Sequence, residues 1–417
     1  MKLISKKINN YDVLINKSNK YTTIYLDFFF INKLSKENHI LSNLLERYIT
    51  NTNSKYKTKE SILKLQTDLY SFGINIHKVI YSDYLVTKIS FDIIDPKLVK
   101  DDYFDKFVDA IHTLLFKPNF KNNKLDKKVF DICKKTEIGN FESSKLNVFA
   151  LAEEDFYKSV FNDTFLTKTY YSIDEYKDFV NKVKDEDIIN YYNNLINNSF
   201  SKLLIMGNIT NANLESLKKI KFKNTTDLEL IYNVPKINPI KDYVEYKFLG
   251  KQSTIKVLYE VKNYKPSDKY VQTAVNSILN NSGRILNEVY RNNLKIVYYS
   301  GSLVSNKIGF LLIEADIDAK NKKKFIDGLD NVFSLLKDKK RVESSLALYK
   351  KNLKDDLYVQ DEKKWSIHED FISKNIYSDD TLNKIYAHSK DITYEDVKKY
   401  VERLERRMIH FAKASNN

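Results

Sequence analysis

The 417-residue sequence predicts an α+β protein of two tandem homologous domains, each a mostly antiparallel sheet covered by helices, the pair clam-like in arrangement. Three observations carry that expectation. Strand-like segments come first, helical patterns follow and a single strand closes the run, the order of an antiparallel layer with helices packed on it. After a polar stretch with two prolines the same order starts again. Two local echoes tie the halves together. Phe104-Asp-Lys-Phe-Val-Asp-Ala-Ile sets Phe107 against Phe325 of Lys322-Lys-Lys-Phe-Ile-Asp-Gly-Leu, and Asp187-Ile-x-x-Tyr-x-x-x-Leu sets Tyr191 against Tyr400 of Asp396-Val-x-x-Tyr-x-x-x-Leu.

In chain order, residues 11–17 and 21–31 read as a strand pair, with Ile24, Leu26, Phe28 and Phe30 on one side. Residues 35–56 form a helix with Ser35 as its cap and Glu37 in its first turn, where negative charge is favoured. Ile40, Leu41, Leu44, Leu45, Tyr48 and Ile49 recur on it at helical spacing and define its buried face. A second helix from Thr58 carries Ile62, Leu65 and Leu69, and strands follow at residues 73–80 and 84–94, stopped by Asp95-Pro96. Helices are expected over 103–116, 125–141, 146–161, 173–183 and 185–197, then a strand over 201–207. The first domain is thus residues 1–216, the linker 217–241 and the second domain 242–417. The second half offers strands at 243–248 and 253–261, helices at 267–279 and 283–291, and strands at 296–304 and 309–316. Helices over 323–336, 343–357, 365–374, 380–388 and 394–404 lead to a last strand at 407–412.

Composition narrows the function. Hydrophobic residues make up 42%, enough for packed interiors. The formal net charge of +14 would invite a nucleic-acid or membrane partner. Here, however, the lysines are interleaved with acids, no basic run carries the spaced aromatics of a stacking groove, and no stretch reaches membrane-span length. The expectation is therefore no nucleic-acid partner and no membrane span. The lone Cys133, in the apolar pattern Val129, Phe130, Ile132, Cys133, excludes a disulfide framework and reads as a buried small hydrophobe. The amino terminus lacks an apolar signal core, so a cytoplasmic protein is expected. No Gly-rich phosphate loop or Gly-x-Ser-x-Gly elbow occurs.

The chemistry centres on Asn43-Leu44-Leu45-Glu46-Arg47. Asn43, Glu46 and Arg47 are three and four positions apart, so their side chains converge on one face of the helix. With imidazoles at the first and last positions this would be the inverted zinc-peptidase motif His-x-x-Glu-His. The glutamate remains and both imidazoles are gone. His39 is placed on a different side of the helix from Asn43. His77, His112, His388 and His410 have no partner at ligand spacing, and His368-Glu369-Asp370-Phe371-Ile372 has Ile372 where a zinc signature needs its second histidine.

This stretch, with the capped helix and Leu69-Tyr70-Ser71-Phe72-Gly73-Ile74 that follow, resembles the pitrilysin/insulinase family of zinc peptidases, which includes mitochondrial processing peptidase. The likeness is to the non-catalytic member of bacterial two-subunit peptidases. The resemblance implies ligand positions at Asn43 and Arg47, a base at Glu46, and a third ligand in the stretch from Leu125, which offers Asp126. Asn is a poor zinc ligand and the Arg guanidinium stays protonated, so no catalytic residue and no metal site is expected in this chain. The family's Leu-Phe-x-x-Val-Arg-Glu-Lys-x-Leu-Ala-Tyr is matched by Ile285 to Ile296, with Tyr290 in place of the arginine, Arg291 beside it and Ile296 in place of the tyrosine.

These readings imply a catalytically inactive, zinc-free subunit of a heterodimeric zinc peptidase. It would form part of a peptide-binding chamber with a zinc-bearing homologous partner, in the maturation of small peptides such as bacteriocin or signalling precursors. Peptide contacts are expected along Gly73, Ile74, Asn75, Ile76 and His77, where an edge strand can accept an extended chain, and at Tyr290 and Arg291. The alternatives are an autonomous metallopeptidase with a non-standard site and a basic nucleic-acid-binding protein.

Overall fold

A computed structural model describes residues 2–9, 11–99, 102–221, 230–360 and 362–415. The chain divides into two compact units, the first Met1–Ser144 with Lys168–Tyr232 and the second Lys145–Thr167 with Asn233–Asn417.

The first unit opens with strands β1 (Lys2–Ile8), β2 (Tyr11–Lys17) and β3 (Thr23–Lys33), helices α1 (Lys36–Asn51) and α2 (Lys59–Asp68), and the hairpin β4 (Gly73–Tyr81) and β5 (Tyr84–Ile94). Helices α3 (Tyr103–Phe116) and α4 (Lys127–Ser144) follow and, after α5 (Val148–Val160), which belongs to the second unit, α6 (Ile173–Lys182), α7 (Asp185–Asn198), the returning strand β6 (Phe200–Gly207) and the short α8 (Asn211–Ser216). The second unit runs β7 (Tyr243–Leu249), β8 (Ser253–Val261), α9 (Asp268–Asn280), the hairpin β9 (Val297–Val304) and β10 (Phe310–Ile317), then α10 (Lys322–Lys337) to α11 (Lys339–Gln360), α12 (Lys364–Ile376), α13 (Leu382–Ser389), α14 (Tyr394–Glu402) and β11 (Leu404–Ser415).

The two sheets share one topology. The first is ordered β1-β2-β6-β3-β5-β4 and the second β7-β11-β8-β10-β9, so that removing β1 leaves the same five-strand order in both. In each, one parallel pair (β2 with β6, β7 with β11) joins otherwise antiparallel neighbours. The echoed residues occupy matching interiors: Phe107 and Tyr191 in the first core, Phe325 and Tyr400 in the second. Strand β1 is not among the strands expected from sequence. Its alternation Leu3, Ser5, Lys7 against Ile4, Lys6, Ile8 is weak, and pairing along β2 over its whole length decides it. The stretch expected as a helix at 283–291 is helical, in the wider π form over Asn287–Asn293, with the Leu294 N–H donating to the Val289 carbonyl at 3.0 Å, an i→i+5 bond.

The described structure departs from the sequence-order division at α5. Its inner face, Ala152, Phe156, Ser159 and Val160, is buried, and it lies on the outer side of the second sheet, where Ala152 packs with Phe248 and Ala412. Asp155 meets His410 Nε2 at 2.8 Å, and Lys256 reaches over the Phe156 ring. Strand β8 is consequently buried on both faces, Thr254, Lys256 and Leu258 as well as Ile255, Val257 and Tyr259. An amphipathic stripe fixes which face of a helix is buried but not which sheet buries it. Of the expected linker 217–241, residues 222–229 lie outside the described residues. Among the described residues no helix is long and apolar enough to cross a membrane.

Candidate functional site: a polar cluster beside an open strand

Helix α1 is set by its ends and its stripe. Ser35 Oγ accepts from the Asn38 N–H at 3.0 Å, and Ile40, Leu44, Leu45, Tyr48 and Ile49 are buried. The polar face of Asn43, Glu46 and Arg47 is only partly exposed, because β4 and α4 flank it.

From β4, Lys78 Nζ donates to Asn43 Oδ1 at 2.6 Å and pairs with Glu46 Oε2 at 2.5 Å. From α4, Glu137 accepts from Asn43 Nδ2 at 3.2 Å and forms an ion pair with the Arg47 guanidinium. From α6, the Tyr176 hydroxyl donates to Glu137 Oε1 at 2.5 Å, its ring stacked on Phe141 at 3.8 Å. Burial and the neighbouring Glu137 charge raise the Tyr176 hydroxyl well above the ordinary tyrosine range, so it stays a donor. The three motif positions thus belong to a closed network that also takes in Lys78, Glu137 and Tyr176.

Of the added residues, Glu137 was legible in part and Lys78 was not. Glu137 falls on the buried face Phe130, Cys133, Glu137 of α4, so a carboxylate inside an apolar stripe was the available signal. Lys78 had none, because its partners lie on another element. Asp126, the third position implied by the resemblance, is a helix cap instead: its carboxylate accepts from the Val129 N–H at 3.1 Å, and its own N–H donates to the Tyr48 hydroxyl at 2.8 Å. His39 requires a correction as well. It stands four residues before Asn43, one helical turn away, and therefore on the same side. Burial and then the Lys78 charge pull its imidazole down to about 4, with Glu137 opposing. The unfolded chain binds this proton near pH 6.5 and the folded chain only near 4, so stability is expected to fall as pH drops across that interval. Melting temperatures measured at pH 7 and pH 5 check this, and His39→Gln should flatten the difference.

The donor set does not fit a zinc ion. An amide, a guanidinium and an ammonium surround the two carboxylates, and a protonated cation cannot ligate. Among the described residues no group of three or more His, Cys, Asp or Glu is placed to hold a metal. Cys133, next to the cluster on α4, is buried, which pushes its thiol up to about 11.

Strand β4 lies at the edge of the sheet, with Gly73, Asn75 and His77 exposed and Ile74 and Ile76 half-buried toward the helices. Between β4, α1 and α2 opens a cavity of about 300 Å³, walled by Ile49, Ile62, Leu63, Ile74 and Ile76 and bordered by Glu46. The expected contacts of the second unit fare differently. Tyr290 is fully buried, its ring stacked on Phe325 at 4.3 Å and its hydroxyl donating to the Phe325 carbonyl at 3.1 Å, so it is a core residue and not a peptide contact. Arg291 is exposed beside it.

Residues 182–353 match the family described as Peptidase M16 inactive domain, a stretch running from the end of α6 into α11. No curated protein matches the sequence. Among solved structures, the chain superposes on a conserved protein from Enterococcus faecalis with a TM-score of 0.83 at 16% identity, covering 100% of this chain and 99% of that one. A peptidase M16 inactive domain from Pseudomonas fluorescens gives 0.75 at 15% identity, covering 100% and 99%. The periplasmic protease PqqL from Escherichia coli gives 0.70 at 12% identity, with 99% of this chain on 45% of that one. The first half of PqqL gives 0.69 at 12% identity, covering 100% and 92%. At these identities the shared property is the fold, and in PqqL it is that of one half.

Proposed function

We propose that this chain is a catalytically inactive homologue of the M16 peptidases and works as the metal-free half of a two-chain peptidase, whose zinc-bearing half is a homologous partner. The observation that carries this reading is the polar cluster, in which Glu46 of the degenerate motif and the neighbouring Glu137 are each paired with a side-chain cation, Lys78 and Arg47. PqqL, which this chain matches over 45% of its length, supports a reading in which such a unit works beside another.

The contribution of this chain is binding. An extended peptide adds to the open edge of β4 through backbone donors and acceptors, and an apolar side chain enters the cavity at Leu63 and Ile76. The substrates are short peptides. Their identification as bacteriocin or signalling precursors, and the cytoplasmic setting, rest on the sequence resemblance and on the sequence reading.

The purified chain is expected to hold no stoichiometric zinc and to hydrolyse no fluorogenic peptide, with or without chelator, and to gain turnover when mixed with an M16 homologue of the same genome that carries an intact His-x-x-Glu-His. Zinc at one per chain with chelator-sensitive turnover by the chain alone would sink the proposal. Leu63 is 52% exposed, so Leu63→Asp should leave folding intact and weaken binding of a fluorescent, apolar extended peptide roughly tenfold, the loss of about 1.4 kcal/mol of burial.

A further inference from the structure

The polar cluster balances its own charge. Glu46 and Glu137 bring two carboxylates and Lys78 and Arg47 two cations, each cation seated on one carboxylate. Asn43 bridges the two pairs, donating to Glu137 at 3.2 Å and accepting from Lys78 at 2.6 Å. Glu137 is nearly buried, its side chain 7% exposed, and a carboxylate so placed is strongly disfavoured without a partner. The neutral side chains add hydrogen bonds but no charge. The four charged groups come from β4, α1 and α4, so the network ties the edge strand to α1, which walls the cavity with it, and to α4 behind.

A divalent cation between two carboxylates would supply the same two positive charges. We infer that Lys78 and Arg47 stand in for such a cation: they neutralise Glu46 and Glu137 and hold β4 against α1 and α4, so that the groove keeps its binding shape at any metal concentration. The use of that groove for peptides rests on the proposed function. The replacement of metal by side-chain cations does not, and it is measured with no peptide present.

The consequence is specific. A metal can enter only if both cations leave and nitrogen donors replace them. In the 417-residue chain, the combined substitution Asn43→His, Arg47→His, Lys78→Ala offers two imidazoles beside the Glu137 carboxylate.

Zinc and cobalt are titrated into the wild-type chain and this variant, with melting temperature, metal stoichiometry after desalting and the visible absorption of cobalt as readouts. Expected are a wild-type melting temperature unmoved by zinc or by chelator, and a variant that takes up one metal per chain, melts higher as zinc is added and gives the visible bands of a low-coordinate cobalt site. A folded variant that takes up no metal overturns the inference, and so does a wild-type chain that holds one zinc and melts lower in chelator.

Should the triple substitution fail to fold, the pair Lys78→Met and Lys78→Arg decides. Met is expected to lower the melting temperature and abolish protection of the β4 amides from hydrogen exchange, while Arg restores both. Equal behaviour of Met and wild type overturns the inference. Loss of peptide binding in a chain that passes these metal tests would instead count against the proposed function alone.

Discussion

Glu137→Ala should destabilise the first unit by about 3 kcal/mol, the cost of breaking a buried charge pair by removing one partner. Three groups lose their acceptor together: the Arg47 guanidinium, the Asn43 amide and the Tyr176 hydroxyl. Arg47 keeps some access to water, with 30% of its side chain exposed, which holds the figure at the lower end of the range for buried pairs. For a unit of this size the loss corresponds to a fall of roughly 6–12 °C in its melting temperature, read by calorimetry. Glu137→Gln retains an acceptor for Tyr176 and loses only the charge, so its effect should be smaller. A melting temperature within 2 °C of wild type for the Ala variant, roughly the shift of under 1 kcal/mol, would show that the network does not hold the unit together.

Phe156→Ala should be comparably damaging to the second unit, about 3–4 kcal/mol for removing a buried ring. Phe156 is 2% exposed and meets the His410 ring edge-on at 5.8 Å, with the Lys256 ammonium 5.7 Å from its centroid. Truncation leaves a void between α5 and the outer face of the second sheet, and it also leaves Lys256 and His410, both buried, with a weakened roof. Limited proteolysis is the direct measurement: new cleavage is expected within residues 145–167, together with a lowered melting transition. Phe156→Leu fills most of the volume and should cost under half as much. Unchanged proteolysis of the Ala variant would mean that α5 is held by its ion pairs and not by the ring.

How much of this could be read from residues varies by element. Helix α1 was legible because its cap and its apolar spacing are local, and a helix repeats its faces every three or four residues whatever surrounds it. The duplication was legible because equivalent core residues keep their local words, as Phe107 with Phe325 and Tyr191 with Tyr400 do. Tyr290 was misplaced for the opposite reason. An aromatic residue in a partly polar stretch reads equally as a contact or as a core ring, and only the packing of Phe325 against it decides. Strand β1 and the allegiance of α5 were missed because both depend on a neighbour that local periodicity does not name.

The sequence alone determined that two related sheet-and-helix programmes follow each other, and that the imidazoles needed by a zinc peptidase are missing from a helix that keeps the glutamate. Only the tertiary structure decided what took their place. Lys78 lies 32 residues beyond Glu46 and Glu137 lies 90 beyond Arg47, and a charge finds its counter-charge through space. No pattern of spacing along the chain can state that choice, which is why the network that distinguishes this protein appeared only on folding.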